Sequence, residues 1–322
     1  MEPYNKEPDH KEWKLIEKLL GQAQAEQRKS RRWGIFFKSL GFVYLFAMLY
    51  LFAANRPGDS LAVAEPHVAV VDVTGAIMSD SAASADLITT GLRDAFEADN
   101  SKAVLLRINS PGGSPVQANF VYNEIRRLRA EYPDKKLYAA ITDMGASGAY
   151  YIASAADEIY ADPASIVGSI GVIMAGFGVQ EAAEKLGVER RVYTAGENKD
   201  ILDPFAPVRE KDREHVQTML DEIHQQFIGA VKEGRGDRLK VEGHPELFSG
   251  LFWTGERALS LGLVDGLKSP GQVARDVAGV DEMVNYTVSG SALDKVLKRF
   301  GVSVGDGLGK SLGLDAGAPN IR

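Results

Sequence analysis

The apolar positions along the chain follow two rhythms. Near the N-terminus they run almost unbroken: WGIFF at 33–37, the single charge Lys38, then no charged residue from Ser39 to Ala54. Trp33 to Ala54 makes 22 residues, and a helix crossing a bilayer needs ~20. Lys38 can snorkel to the interface, and Trp33 suits the aromatic belt. The alternatives are a buried core helix and a cleaved signal peptide. The 32 mostly polar residues before the run are too many for a signal n-region. The pattern therefore predicts a retained transmembrane helix over 33–54. Residues 12–20 (EWKLIEKLL) could form a short amphipathic helix, but a solvated tail is the simpler reading.

After a linker at 55–65 (NRPGDSLAVAE), strand and helix patterns alternate. HVAVVDVTG (67–75), KAVLLRIN (102–109), KLYAAIT (136–142) and DEIYAD (157–162) read as buried strands. Between them, 84–98 has helical spacing, with Leu87, Ile88, Leu92, Ala95 and Phe96 on one face. Residues 115–131 form a second helix with Val116, Phe120, Ile125 and Leu128 as apolar positions, stopped by Pro133. Residues 147–156 read as a short helix of small residues. Further on come a helix at 177–187, a strand at 188–194 (VERRVYT), and a long helix at 207–234 with Val216, Leu220, Ile223 and Phe227 inward. A helix closed by Gly262 follows within 256–267. Such alternation predicts βαβ units and a mainly parallel α/β sheet covered on both faces. The organisation expected is a tail at 1–32, the anchor at 33–54, the linker, one domain at 66–285, and a Gly-rich extension at 286–322 with a short helix at 291–300.

Charge adds direction. Residues 1–54 carry nine Lys/Arg against six Asp/Glu, whereas the rest carries 28 against 38. The acidic body argues against a nucleic-acid surface. Arg28, Lys29, Arg31 and Arg32 precede the span and only Arg56 follows closely. The positive-inside rule then puts the N-terminus in the cytoplasm and the body across the membrane. In a Gram-negative cell that is the periplasmic side of the inner membrane. Composition is that of a folded chain, 45% apolar and 25% charged. The absence of cysteine excludes disulfides, thiolate nucleophiles, iron–sulfur clusters and Cys-zinc sites.

Ligand sites of parallel sheets lie at the carboxyl ends of strands, and two such ends stand out. Asn109-Ser110-Pro111-Gly112-Gly113-Ser114 follows the second strand. Paired glycines before a helix let backbone N–H groups face an anion or oxyanion; a tight turn would use the same residues. Asp143-Met144-Gly145-Ala146-Ser147-Gly148 follows the third strand. Ser147 starts a helix among small residues, as a nucleophile could or as an N-cap would. A nucleophilic serine needs a base. The histidines (His10, His67, His215, His224, His244) read as surface or structural. A Ser–Lys pair needs none, and Lys199, in the loop Ala195-Gly196-Glu197-Asn198-Lys199-Asp200, is the candidate. Its pKa must fall from ~10.4 toward neutrality, so Glu197 and Asp200 must point away. Alone, Lys199 would equally be an exposed loop lysine.

Together these pieces resemble the signal peptide peptidase A family of membrane serine proteases, in its short, single-copy type. The resemblance runs from about 66 to 270, on SPGG (110–113), MGASGAYY (144–151), ADPASIVGSIGVI (161–173), the lysine loop (195–200) and FWTGERALSLGLVDGL (252–267). The family's usual SGGYY reads SGAYY here. The resemblance implies a fold like the Clp protease and crotonase superfamily. It implies Ser147 as nucleophile, Lys199 as general base, Ser169 as the serine orienting that lysine, and the N–H groups of Gly113 and Gly148 as oxyanion hole, with Gly112 the alternative for the first. It implies no metal or cofactor, cleaved signal peptides as substrates, and a homo-oligomeric ring whose sites take serine and lysine from adjacent protomers. A related protease of the SohB-like or stomatin-cleaving kind, and a non-proteolytic peptide-binding membrane scaffold, are the rivals. A crotonase-type acyl-CoA enzyme would lack its cofactor outside the cytoplasm.

Overall fold

The computed structural model describes residues 10–54 and 65–289. The expected linker, but for Glu65, and the expected helix at 291–300 lie outside those residues. The chain divides into two compact units, Met1–Pro57 and Gly58–Arg322.

The first unit is one helix, α1 (His10–Ala54). Its stretch Gln27–Tyr50 is long and apolar enough to cross a membrane, with a mean hydropathy of 1.4. Residues 12–20, read as a solvated tail with some helix propensity, are helical and belong to the same continuous helix rather than to a separate short one. Between Glu12 and Gln27 good helix formers predominate, with Gly21 the one weak position, so a helix nucleated in the apolar run propagates backwards through them.

The second unit is an α/β sheet. Three long parallel strands form its centre, β1 (His67–Thr74), β2 (Ser101–Ser110) and β3 (Lys136–Ala146). They are joined through α2 (Ala85–Glu97) and α3 (Pro115–Glu131). Every strand residue from Val68 to Val71, and from Ala103 to Leu106, is buried, as a sheet covered on both faces requires. After β3 come α4 (Gly148–Ala153), β4 (Glu158–Ala161) and β5 (Ile166–Gly168). The sheet divides at β3. Its first half, Tyr138–Ile141, pairs with β4, and its last residues, Met144–Ala146, pair with β5. The register between β2 and β3 shifts near Ile108/Ser110, and this carries the end of β3 out toward the loop after β2.

The long helix α6 (Glu210–Arg235) follows the short α5 (Gln180–Lys185). β6 (Phe252–Thr254) adds antiparallel to β5, and α7 (Gly255–Ser260) leads to β7 (Gly266–Leu267) beside β4. α8 (Pro270–Gln272), begun by a capping box at Ser269, runs into a π-helical turn. β8 (Met283–Asn285) closes the other edge against β1.

Three expectations are corrected. The strand expected at 188–194 does not form: Arg190 and Arg191 pair with Asp203 and Glu189, and β-branched residues without a sheet edge to join make no strand. The helix expected at 177–187 shrinks to α5, which buries no residue. On α3 the inward face is Ala118, Val121, Tyr122, Ile125 and Leu128, while Val116 and Phe120 face solvent. The small Ala118 is needed inside, because its Cβ would lie 3.4 Å from a Cβ built on Gly148.

Candidate active site

The loop after β2 is shaped by its own side chains. Ser110 Oγ, fully buried, accepts from the Gly112 N–H at 3.1 Å, and Ser114 caps α3, accepting from Gln117 N–H. Ile77 holds the loop from the other side: its N–H donates to Gly112 O at 2.9 Å, and its carbonyl accepts from Ser114 N–H at 2.8 Å. Gly112 and Gly113 have φ of +90° and +155°. At Gly112 only a glycine fits, since a Cβ there would lie 2.6 Å from Gly148 N and 2.8 Å from Ser147 Cβ.

Ser147 sits where β3 ends and α4 begins. Its φ of 54° and ψ of −127° are far from those of a capping residue, and its side chain makes no cap hydrogen bond. The N-cap alternative is thereby removed. Its own N–H donates to Gly168 O at 2.8 Å, which ties the strand end to β5 and brings the next residue, Ser169, alongside. Ser169 also has φ 54°, fixed by its N–H donating to Leu251 O at 2.7 Å. Such left-handed non-glycine residues cost free energy and persist only where the surroundings over-determine them.

The structure brings Ser147, Gly148, Gly112, Gly113 and Ser169 into one cluster. A Cβ built on Gly148 would stand 3.3 Å from Gly113 N, so these two amides are neighbours. Among the described residues neither N–H meets an acceptor. Two adjacent free donors beside an uncapped, strained serine hydroxyl form a place where a tetrahedral oxyanion can be held. Of the histidines, His67 is buried against Tyr286 Oη at 2.9 Å, and His224 Nε2 lies 3.1 Å from Ile170 O; both hold the fold.

Lys199 is not in that cluster. It lies in the exposed segment 171–208, and among the described residues its side chain has no hydrogen-bond or ion-pair partner, neither Ser147 nor Ser169 included. The flanking carboxylates do point elsewhere: Glu197 accepts from Lys211 Nζ at 2.7 Å and Asp200 from Arg209 at 2.8 Å. The sequence reading did not foresee these two partners, nor Ile77 as the prop of the glycine loop. Any signal of them lay only in basic residues ten or so positions downstream and in an apolar residue after β1.

Similarity to known proteins bears on this geometry. The profile of peptidase family S49 matches residues 129–283. A putative protease of Synechocystis sp. is 35% identical over 217 residues, 66% of this chain and 75% of that protein. A putative signal peptide peptidase SppA of Enterococcus faecium is 32% identical over 176 residues, 55% of this chain and 50% of that protein. A Brucella melitensis protein named Na(+)/H(+) antiporter NhaA is 50% identical over 208 residues, 63% of this chain. The chain spans only 28% of that protein's length.

Proposed function

The chain belongs to peptidase family S49, and on that premise we propose that it is a membrane-anchored serine endopeptidase working through Ser147 and Lys199. Ser147 Oγ attacks the scissile carbonyl while Lys199 Nζ takes its proton. The carbonyl oxygen becomes an oxyanion held by the N–H groups of Gly113 and Gly148. The tetrahedral intermediate collapses, the C–N bond breaks, and Lys199 returns the proton to the leaving amine. Water then attacks the acyl-enzyme ester. Lys199 takes the water's proton and passes it to Ser147, which leaves as the free hydroxyl.

The observation that carries this reading is the uncapped Ser147 hydroxyl beside two unpartnered amides. Lys199 enters from a neighbouring protomer. This is supported by its lack of a partner among the described residues and by the large apolar side chains of its own segment, 171–208, that stand in solvent, among them Ile173, Phe177 and Tyr193, each about nine-tenths exposed. An isolated surface with that much unburied apolar area calls for a partner, and a second copy supplies it. Substrates are membrane-retained peptides of the signal-peptide kind, consistent with the name of the Enterococcus relative. α1 anchors the chain, with its N-terminus on the cytoplasmic side, where the four basic residues before the span would lie.

Cleavage of a synthetic signal peptide by the full chain in detergent tests the reading. Wild type should cut, and Ser147→Ala and Lys199→Ala, assembled to the same size, should not. Cleavage by either variant at the wild-type rate would remove that residue from the mechanism.

A further inference from the structure

A lysine acts as a base only when uncharged, so anything that fixes a proton on Lys199 opposes catalysis. Two carboxylates adjoin it in sequence, Glu197 and Asp200. Either one, hydrogen-bonded to the ammonium, would hold the proton there. Both are engaged by side chains at the start of α6. Arg209 grips Asp200 with two prongs, Nη2 to Oδ1 at 2.8 Å and Nη1 to Oδ2 at 3.3 Å. Its Nε is fixed in turn on the buried Asp212 at 2.6 Å. Lys211 Nζ holds Glu197 Oε1 at 2.7 Å. These hydrogen bonds hold Glu197 and Asp200 below the usual carboxylate range.

The remaining charges around the loop are also paired. Asp203 accepts from Arg190 Nε at 2.8 Å and from the Phe205 N–H at 3.0 Å, and Glu189 accepts from Arg191. Between Asp200 and Asp203 the backbone passes through Leu202 at φ 64°, a left-handed non-glycine position of the kind kept only when its surroundings over-determine it. Lys199 is the one cation of this loop cluster with no partner among the described residues.

We infer that Arg209, seconded by Lys211, is a positioning residue for the base: it holds the adjacent carboxylate away from Lys199, so that no anion of this loop keeps the proton on the amine. The inference rests on Lys199 being the general base. Removing the Arg209 guanidinium frees Asp200 to pair with Lys199, and that pairing fixes the proton on the base.

The test is the pH dependence of kcat/KM for peptide cleavage by the full chain in detergent, whose acidic limb reports the free enzyme's base. Arg209→Gln should move that limb upward by about one pH unit, a roughly tenfold loss at any pH below the limb. Arg209→Lys, which keeps the charge, should leave the limb near wild type. Adding Asp200→Asn to Arg209→Gln should bring it most of the way back. A merely structural role for Arg209 would lower kcat at every pH, leave the limb in place and gain nothing from Asp200→Asn; that result would overturn the inference. Should Arg209→Gln fail to fold, Lys211→Gln, with and without Glu197→Gln, reads the same displacement through the other pair. Lys199→Ala separates the two levels: full activity in that variant sinks the base itself, whereas its inactivity beside an unmoved limb sinks only the role of Arg209.

Discussion

The backbone at Ser147, φ 54° and ψ −127°, is one that glycine adopts readily and serine does not. Strain of this kind costs about 1–3 kcal/mol. Ser147→Gly should therefore raise the stability by about 1 kcal/mol, after the added chain entropy is set against the relieved strain. Ser147→Ala keeps a Cβ and should gain none of this. Urea unfolding of the two variants checks it; a glycine variant no more stable than the alanine one would mean that the strain does not exceed the added chain entropy. Gly112 is the converse case. An added Cβ meets Gly148 N and Ser147 Cβ at under 3 Å, so Gly112→Ala should displace the proposed oxyanion donors. The expected loss in kcat is about 10²–10³, the cost of one such donor, with KM changed far less. At this scale Ser147 and the paired glycines stood out by residue type, whereas Ser169 entered only through the family resemblance; the structure sets these residues side by side and leaves Lys199 apart from them. Arg209 and Ile77 were not legible, because a surface arginine and a core isoleucine look ordinary until their partners are known.

Elements were legible in proportion to the apolar run they contain. β1, β2 and β3 have 8, 10 and 11 residues and announce themselves by their apolar runs. β5, β6, β7 and β8 have two or three residues each; they exist because a longer neighbour offers an edge, which is tertiary information. Yet β5 places Ser169, so the least legible strand positions part of the site. The end of α6 is a second case. Arg235 is 1% exposed, donates to Gly262 O, and forks onto Asp265 at 2.7 and 2.9 Å. Asp265 in turn accepts from the Ile159 N–H of β4, so one ion pair joins α6, the turn after α7 and the sheet. Arg235→Met leaves that carboxylate with only Arg238, at 3.3 Å, and the Ile159 N–H, and should cost about 3 kcal/mol near neutral pH. Burial alone would raise Asp265, but its hydrogen bond and charge interaction with Arg235 bring it below the ordinary carboxylate range. Its folded value is thus lower than its unfolded one. The stability it contributes is complete above the unfolded value of ~3.9 and is lost as pH falls through the folded one. The difference between wild type and Arg235→Met, followed by unfolding at a series of pH values, should narrow below about pH 4. A constant difference would show that Arg235 acts by packing alone.

For the whole molecule, the residues that matter most are those the single chain leaves unfinished. Ser147 and its two donors are complete within one chain, whereas Lys199 stands in a segment whose large apolar side chains, Ile173, Phe177, Tyr193 and Val208, face solvent. The strand expected at 188–194 carries the same message: its β-forming residues pair with no strand among the described residues of this chain. If the base crosses from one protomer to the next, each inactive variant carries the half that the other lacks. An assembly mixed at random from Ser147→Ala and Lys199→Ala chains then contains sites with an intact serine from one and an intact lysine from the other. Such sites make up about a quarter of the total in an equal mixture of a cyclic assembly. Dissociating the two variants, mixing them and reassembling should restore about a quarter of the wild-type rate, while either variant reassembled alone stays inactive. If serine and lysine met within one chain, no mixed site could hold both, and the mixture would remain as inactive as its components. Phe177→Asp supplies the control in the other direction. If the proposed assembly buries Phe177, it should lower the assembly size and abolish cleavage while leaving the unfolding transition of the sheet in place, because Phe177 is 90% exposed in its own chain.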